Sequence, residues 1–482
     1  MARHTFAITL VCVLLLSAAP FALAQTASFQ PLGLGPGGVQ SFAWDASSNG
    51  AVVVGSYWVQ DPNGFSIRQL GFRWEAGVFS DLGALNPNAR EVQALAVSDN
   101  GTKVVGWSRA VSGFQRPFLW TSATGMQELS NVPGTDAIAS DISPDGNVVV
   151  GYFSDSAGSH AFLWNAGVVT VMSSLPNGFD TKSQAVCGVG ASLVGSALNS
   201  NFTEMASRWS SNGSVQLLPQ LAGAETSYAE GCSNDGTAVI GASTDSKGNL
   251  AAVRWDSAGA RSLGALGGSS SEAHAISGDG NIVVGGAGLP PVAGVSDFSA
   301  FRWLKSTGKM EQLSRTLQSA GVGTPFCHQT PCAAGTWFLQ LALGVSSDGS
   351  AIVGTAQDPN GNLQAYRAIV PIAGAPASPA AGNGACPSGF TQVTLSVNTG
   401  GASGSVSSTQ NSASGSRLTV ASGQTGSACF RSNQTLGFQA ANARLADWGG
   451  TPNIICKNRN TNQNSCSFQL GSASQGVTSS LH

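Results

Sequence analysis

The stretch ISPDGNVVVG, residues 142–151, predicts a β-hairpin built for repetition. Asp145 and Gly146 follow Pro144, and an Asp-Gly pair readily supplies the positive φ values of a tight hairpin turn. The valines from Val148 to Val150 are apolar on both faces of a strand, which is typical of a strand covered on both sides. The stretch therefore predicts a turn followed by a core strand.

The same pattern occurs seven times. A turn glycine is followed five residues later by a second glycine at Gly50/Gly55, Gly101/Gly106, Gly146/Gly151, Gly190/Gly195, Gly236/Gly241, Gly280/Gly285 and Gly349/Gly354. The first glycines are spaced 51, 45, 44, 46, 44 and 69 residues apart. A period in the mid-forties is typical of β-propeller blades.

Each copy carries four strand signals. The first strand ends at the turn, the second is the apolar run, and the fourth follows a glycine turn. The third strand carries a Phe-x-Trp pair such as Phe162–Trp164 in four copies, with weaker versions at Trp209 and Trp255. Alanine stands four residues before the turn serine in six copies, at Ala43, Ala94, Ala139, Ala229, Ala273 and Ala342, with Ser183 in the remaining one. Small residues suit an innermost strand, and tryptophan suits the wider outer space between blades.

The two ends of the repeat region complement each other. The seventh copy ends at its third strand, Ala365–Val370, and the missing fourth strand appears near the N-terminus as FQPLGLG, residues 29–35. Pairing these segments removes two sheet edges. We therefore predict an all-β fold, a seven-bladed propeller over residues 25–372 closed by the N-terminal strand. An open solenoid is the alternative, and it does not require the split repeat.

The repeat resembles a known family. The pattern A-x-x-I-S-x-D-G-x-V-V-V-G, then A-F-x-W, then G-x-x-x-L-G, over about residues 27–372, is similar to the extracellular HAF repeat of bacterial proteins, and SHAFLW (159–164) matches its name. The resemblance implies export and repetition. It implies no settled activity and no catalytic residues.

The N-terminus has the composition of a secretory signal peptide. Arg3 and His4 precede an apolar run, and Ala22-Leu23-Ala24 ends it, so we predict cleavage near Ala24 and a secreted or extracellular protein, with a periplasmic location as the alternative. No later stretch is long and apolar enough to predict a transmembrane anchor. The net charge of −3 gives no basic surface for nucleic acid.

Eight of the nine cysteines lie beyond the predicted signal peptide, and an even number in an exported chain favours disulfides over free thiols. Cys187 and Cys232 fall in neighbouring inner strands and could pair, although strand alternation leaves open whether they share a face. Cys327 and Cys332 predict a short disulfide loop. His328 between them suggests zinc, but no fourth ligand is nearby, so we predict no metal.

The C-terminal part has a different character. Residues 373–385 form a Pro/Ala/Gly linker, and residues 386–482 predict a small β-rich domain without the period. This domain resembles a small bacterial surface repeat through Gly404–Val406, Cys429, Leu436, Trp448-Gly449, Cys456 and Cys466, although Leu445 stands where an aromatic residue is expected. With that resemblance we predict the pairs Cys386–Cys429 and Cys456–Cys466, which would stabilise a thin core.

Two groups of residues are candidate sites. The loops after the valine runs differ most between copies and are aromatic in the first three, which suits sugar rings or a protein partner, or else the residues cap the blades. These candidate ligand-binding residues are Tyr57, Trp58, Trp107, Arg109, Arg116, Tyr152 and Phe153. Acidic residues before the inner strands, with one histidine, predict a channel rim that holds a cation, acts as acid and base, or is merely solvated. The rim residues are Glu91, Asp136, Asp180, Glu225, Glu272 and His274.

Nothing in the sequence matches a nucleophile elbow, a phosphate loop or a metal-binding helix, so we predict no catalytic residue and no cofactor. The repeated Ser-x-Asp-Gly turns could suggest calcium, but Asp-Gly is what the turn itself requires. The leading hypothesis is a non-enzymatic exported protein that binds a protein or glycan ligand. The alternatives are a secreted hydrolase or lyase acting on polysaccharide through the acidic rim with His274 or His160, and a structural envelope protein.

Overall fold

The computed structural model describes residues 26–60, 67–190, 192–292 and 297–370 with their side chains, and the backbone of eight strands between Phe390 and Leu481. The strands from Ser28 to Ile369 and those from Phe390 to Leu481 belong to two separate compact units. No helix in the described residues is long and apolar enough to cross a membrane.

The first unit consists of seven four-stranded antiparallel sheets, counted within the described residues. The strands of each blade are given from the inner to the outer edge. Blade one contains β2 (Gly38–Ala46), β3 (Val52–Gln60), β4 (Ile67–Glu75) and β5 (Val78–Asp81). Blade two contains β6 (Val92–Val97), β7 (Lys103–Arg109), β8 (Gln115–Thr121) and β9 (Gly125–Glu128), and blade three contains β10 (Asp136–Ile142), β11 (Val148–Asp155), β12 (Gly158–Asn165) and β13 (Val168–Val171). Blade four contains β14 (Thr181–Cys187), β15 (Ser192–Leu198), β16 (Glu204–Ser210) and β17 (Val215–Leu217). Blade five contains β18 (Ser227–Cys232), β19 (Val239–Thr244), β20 (Leu250–Asp256) and β21 (Gly259–Ser262). Blade six contains β22 (Ser271–Ile276), β23 (Ile282–Gly288), β24 (Phe298–Leu304) and β25 (Lys309–Gln312). Blade seven contains β26 (Phe338–Val345), β27 (Ala351–Gln357), β28 (Leu363–Ile369) and β1 (Ser28–Gly33).

The seven sheets form a closed circle. Each innermost strand contacts the innermost strand of the next blade, and β26 of the last blade contacts β2 of the first. The outer strand β1 pairs antiparallel with β28, with Ser28 opposite Ile369. The predicted seven-bladed propeller and its closure by the N-terminal strand are therefore confirmed, and the open solenoid is excluded.

The Ser-x-Asp-Gly hairpin is held by its own side chains. Ser143 Oγ donates a hydrogen bond of 2.6 Å to Asp145 Oδ1 and accepts one of 2.9 Å from the Val148 amide. Asp145 Oδ1 also accepts from the Asn147 amide at 3.1 Å, and Gly146 has a φ of 72°. The Asp145 Oδ1 atom therefore accepts hydrogen bonds from the turn itself, as the turn interpretation of this motif predicted.

Packing between blades uses the valine run and the Phe-x-Trp strand together. Val149 and Val150 are completely buried, and so is Trp209. The Trp209 indole Nε1 donates to the Ser173 carbonyl of the preceding blade at 2.8 Å. On the same strand type, Arg254 Nη1 donates to the Gly280 carbonyl in the turn of the following blade at 2.7 Å. Third strands that carry both the tryptophan and the arginine can therefore contact both neighbouring blades.

The long sixth gap holds a helix and a disulfide loop. Helix α1 (Leu313–Ser319) buries Leu313 and Leu317 in the core cluster that contains Phe326. Cys327 and Cys332 are joined, as predicted. His328 interacts with Ser314 Oγ at 2.8 Å and with Gln318 Oε1 at 2.7 Å, so both ring nitrogens have hydrogen-bonding partners.

The second unit forms two four-stranded sheets in its described backbone. One has the order β32 (Thr425–Arg431), β29 (Phe390–Thr399), β36 (Gln475–Leu481) and β34 (Leu445–Gly450), and the other β31 (Arg417–Ala421), β30 (Ser405–Asn411), β33 (Thr435–Ala441) and β35 (Ser465–Gln469). Strands β29 and β36 pair parallel. The pairs Cys386–Cys429 and Cys456–Cys466, the signal peptide over 1–24 and the linker over 373–385 lie outside the described residues or side chains and stay predictions.

Candidate functional site

Every innermost strand of the propeller contains a β-bulge at the same position. In β18, for example, Ala229 pairs with Gly241 and Gly231 pairs with Ile240, which leaves Glu230 as the extra residue. A bulge redirects a side chain that regular alternation would aim elsewhere. The extra residues of the seven bulges all line one cavity on the propeller axis, and we call them the bulge ring: Trp44, Leu95, Ser140, Gln184, Glu230, His274 and Leu343.

The second glycine of each sequence repeat makes the bulge possible. Gly151 lies against the bulged strand, and a Cβ atom on it would be 1.9 Å from the Ile138 carbonyl oxygen. The corresponding glycines of the other six copies meet an equivalent carbonyl at 1.9 to 2.2 Å. Their role is therefore close backbone approach, because their φ values are not in the left-handed region.

The bulge ring faces a cavity of about 440 Å³, which we call the channel cavity. At its turn end, backbone hydrogen bonds link the residues between serine and aspartate of successive hairpins. Five such bonds of 2.8 to 3.0 Å join Ser48 to Asp99, Asp99 to Pro144, Asn234 to Gly278, Gly278 to Ser347, and Asp348 to Ser48. Ser347 Oγ also donates to Asp99 Oδ1 at 2.6 Å, reaching past blade one. These contacts narrow the channel at the turn end.

Two aspartates of the cavity wall also connect neighbouring blades. Asp45 Oδ2 accepts from the Val97 amide at 2.9 Å, and Asp141 Oδ2 accepts from the Val186 amide at 2.8 Å. Burial raises the pKa of Asp45 to about 7 and the pKa of Asp141 to about 8, although these backbone hydrogen bonds lower both. Both carboxyl groups therefore titrate near neutral pH.

Glu230 and His274 are the two ionisable members of the bulge ring, on the neighbouring strands β18 and β22. Neither side chain forms a hydrogen bond with another residue in the described part of the chain. Burial, together with the nearby carboxylates of Glu272 and Glu204, raises the pKa of Glu230 to about 8. Burial lowers the pKa of His274, and Glu272 opposes this shift. The pair offers unused hydrogen-bonding capacity inside a cavity.

Three aromatic side chains on blades one to three complete the wall. Trp44 Nε1 donates to Ser56 Oγ and Trp107 Nε1 donates to Gln93 Oε1, both at 3.2 Å. Tyr152 has the Lys182 ammonium 5.3 Å from its ring centroid. Because their polar atoms or faces are already held in place, the rings are oriented before any ligand arrives. The described lining contains no lysine or arginine.

The predicted ligand-binding residues lie in different surroundings in the structure. Trp107 and Tyr152 line the channel cavity, whereas Tyr57 and Phe153 are buried inside blades. Trp58 packs 5.6 Å from Phe42. Arg109 pairs with Glu91 at 2.8 Å, and Arg116 pairs with Glu128 at 2.7 Å. These residues were expected on loops, but all seven lie on strands, since β3, β7 and β11 extend past the valine run.

The predicted rim is also divided. Only His274 lines the channel cavity, which excludes Glu91, Asp136, Glu225 and Glu272 from its described lining. Asp136 accepts from the Gln115 amide at 2.9 Å, Asp180 accepts from the Ser159 amide at 2.8 Å, and Glu272 accepts from the Tyr228 hydroxyl. His160 pairs with Asp155 at 3.1 Å. These carboxylates therefore tie neighbouring segments together instead of forming one acidic mouth.

Cys187 and Cys232 form the predicted bridge between blades four and five. Cys232 lies on the wall of the channel cavity. Among the described residues, the backbone hydrogen bonds of the turn end join neither blades three and four nor blades four and five, and the disulfide provides a covalent link at the second of these junctions. Strand alternation did not prevent the pairing, because Cys187 and Cys232 differ by one position relative to the turn and their strands differ in register.

Sequence reasoning missed Trp44, Asp45, Asp141 and Glu230. A signal was present in each repeat. The residue directly after the repeated alanine, Trp44 in copy one and Glu230 in copy five, varies from copy to copy. The alanine and the turn serine are each replaced in one copy only, and the second glycine in none. Asp45 and Asp141 lie one position further along the strand. Variation at one position inside an otherwise constant strand indicates a side chain that does not pack in the shared core.

The sequence matches no protein-family model and no curated protein. Among solved structures, the chain is similar to an oligogalacturonate lyase from Vibrio parahaemolyticus, with 11% identity, a TM-score of 0.46, and coverage of 73% of this chain and 98% of that one. It is similar to TolB from Acinetobacter baumannii at 12% identity and a TM-score of 0.39, covering 67% of this chain and 64% of that one. The β-propeller domain of a Pyrococcus furiosus Trilobed protease is 8% identical, with a TM-score of 0.42 and coverage of 68% and 95%. Likeness at this identity concerns the propeller fold alone.

Proposed function

We propose that this chain is an exported binding protein of the HAF-repeat type, and that it takes a small organic cation into the channel cavity. The observation that carries the proposal is the bulge ring, which gathers one variable side chain from every blade around one space. The two disulfides support export, because such bonds persist in oxidising compartments. The HAF assignment rests on the sequence pattern.

The chemistry of the wall favours a positive charge on the ligand. Asp45, Asp141 and Glu230 contribute carboxyl groups whose ionised form a bound cation would favour, and the described lining contains no lysine or arginine to compete with that cation. The faces of Trp44 and Trp107 can stabilise a cation through their ring quadrupoles, by about 0.5–2 kcal/mol for each contact.

The test is calorimetric titration of the mature protein with choline, with its neutral tert-butyl isostere as the matched ligand. We expect choline to bind and the isostere to bind at least tenfold more weakly. Glu230→Gln and Trp107→Ala should each weaken choline binding about tenfold, which corresponds to about 1.4 kcal/mol. Glu75→Gln removes an exposed carboxylate paired with Arg73 outside the cavity and should leave binding unchanged.

Equal affinity for choline and its isostere would exclude the charged-ligand proposal. Tight binding that survives both cavity variants would place the ligand elsewhere on the molecule. Turnover of a polysaccharide that Glu230→Gln abolishes would instead favour the hydrolase or lyase alternative.

A further inference from the structure

A second recognition feature lies away from the channel cavity, on the connection that enters blade four and on a loop within that blade. Phe179 precedes β14, and Phe202 lies in the loop between β15 and β16. Their rings stack with centroids 4.5 Å apart and an angle of 6° between the planes. The side chains are nevertheless 46% and 68% exposed, so the stack faces solvent.

Phe202 occupies its position at a conformational cost. Its φ is 59°, in the left-handed region that non-glycine residues with bulky side chains rarely adopt. The loop enforces this conformation, since the Phe202 amide donates to the Asn199 carbonyl and Asn199 Oδ1 accepts from the Thr203 amide, both at 3.0 Å. Because the exposed Phe202 ring gains little burial, the stability of the fold does not explain why a phenylalanine occupies this strained position.

Phe202, the more exposed member of the stack, lines a groove of about 740 Å³ between blades four and five, within the range of about 300–1,000 Å³ of small-molecule sites. Gln220 lies in the groove wall with its amide Nε2 committed to Ser227 Oγ at 3.0 Å. Its Oε1 atom is buried and has no hydrogen-bonding partner among the described residues. A buried acceptor without a partner is rare in folded proteins, and a ligand hydroxyl would satisfy this one if the Gln220 side chain turned toward the groove.

The remaining lining identifies the ligand class. The groove contains the carboxylates of Glu204 and Glu225 and the hydroxyl groups of Thr203 and Thr226, with no lysine or arginine among its described residues. Acceptors therefore dominate, which suits a ligand rich in hydroxyl donors and repels carboxylated or phosphorylated ones. A flat, rigid aromatic stack beside such acceptors suits the apolar face of a sugar ring.

We propose that this groove and the Phe179–Phe202 stack form a binding site for a neutral oligosaccharide, separate from the channel cavity. The stack would hold one hexose ring, and the Gln220 and Glu225 oxygens would accept hydrogen bonds from hydroxyl groups of the bound chain. The site is built from one loop and two blade connections, which can vary without changing the propeller core.

The experiment is titration of the mature protein with cellohexaose and chitohexaose, with hexagalacturonate as the charged comparison. We expect at least one neutral hexasaccharide to bind, and hexagalacturonate to bind at least tenfold more weakly. Phe202→Gly should reduce neutral binding at least tenfold while leaving the thermal midpoint unchanged or higher, because glycine adopts the same φ without strain. A loss of saccharide affinity without a loss of thermal stability distinguishes a binding role of Phe202 from a structural role.

Phe114→Ala is the matched control, since Phe114 is 44% exposed beside an equivalent loop of blade two but stacks on no described ring. Its saccharide affinity should equal that of the unaltered protein, as should that of Glu230→Gln, which tests the channel cavity alone. Absence of binding by both neutral hexasaccharides would overturn the proposal. Binding that Phe202→Gly leaves intact, or that hexagalacturonate matches, would overturn it as well.

Discussion

At the scale of single residues, the two glycines of the repeated motif have different structural roles. Gly146 has the positive φ that its turn requires, whereas Gly151 provides room for the carbonyl of the bulged strand. The bulge that this close approach permits directs the extra residue of the strand, Ser140 in this blade, into the channel cavity. One invariant glycine thus accompanies one variable side chain in each blade.

Gly151→Ala should therefore destabilise the propeller by about 3 kcal/mol, because the added methyl group overlaps the Ile138 carbonyl and the backbone must move. Chemical denaturation measures the change. Gly323→Ala is the control, since a Cβ there meets nothing within 4 Å. Equal stability of the two variants would contradict the assigned role of Gly151.

Glu230 should give the protein a pH-dependent stability. Its pKa is about 8 in the folded protein and near 4.5 as an ordinary glutamate, so between these values the folded chain holds a proton that the unfolded chain has lost. Stability therefore falls as the pH rises from about 4.5 to about 8. Asp45 and Asp141 act in the same direction.

Thermal midpoints between pH 5 and pH 9 test this expectation. The midpoint of the unaltered protein should decrease across the range, and Glu230→Gln should flatten the decrease, because glutamine does not titrate. Glu75→Gln should leave the slope unchanged. A parallel slope in Glu230→Gln would show that its carboxyl group does not carry the proton.

At the scale of secondary-structure elements, strand β1 decides whether the circle closes. Leu32 is buried and packs with Tyr57 and Trp74 of the first blade, although β1 itself belongs to the last. Ser41 Oγ donates to the Gly33 carbonyl at 2.6 Å and accepts from the Ala365 amide at 2.9 Å. The strand therefore joins blade seven to blade one through its core face and its backbone.

Leu32→Ala should lower the free energy of unfolding by about 3 kcal/mol, the cost of a cavity in a packed core. Gln30→Ala on the same strand is exposed and should change it by less than about 0.5 kcal/mol. Denaturant titration distinguishes the two. Similar small effects from both variants would mean that β1 does not contribute to closure as described.

At the scale of the whole molecule, the channel cavity depends on how the blades are linked at the turn end. Five of the seven junctions use backbone hydrogen bonds, the junction of blades four and five uses Cys187–Cys232, and Asp141 accepts from the Val186 amide between blades three and four. This bridge closes a separation of 45 residues, whereas Cys327–Cys332 spans 5. The chain-entropy model gives about 4 kcal/mol for the longer loop and about 2 kcal/mol for the shorter one.

Replacing Cys187 and Cys232 together by serine should therefore cost about twice as much stability as replacing Cys327 and Cys332. Denaturant titrations of the two double variants, without reductant, provide the comparison. We also expect choline affinity to fall only in the first variant, because Cys232 lies on the cavity wall. A larger cost for the second variant would contradict this assignment.

The amino-acid sequence by itself determined the blades, their number and their closure, because turn chemistry, strand burial and period are local properties that each copy repeats. It also placed Cys187 near Cys232, His274 on an inner strand and the Trp of each third strand between blades. It could not place Tyr57 and Phe153, because an aromatic residue near a strand end reads the same whether it faces the core or solvent.

Only the tertiary structure decided the site. A bulge redirects Glu230, His274 and Trp44 to one axis, and their positions in the sequence are far apart. Likewise, Phe179 and Phe202 meet only because the fold brings the segment before blade four against the loop between β15 and β16. Strand period predicts which face a residue takes within one regular strand, but the bulge interrupts that period. The residues that differ between copies therefore acquire their meaning only from their shared surroundings.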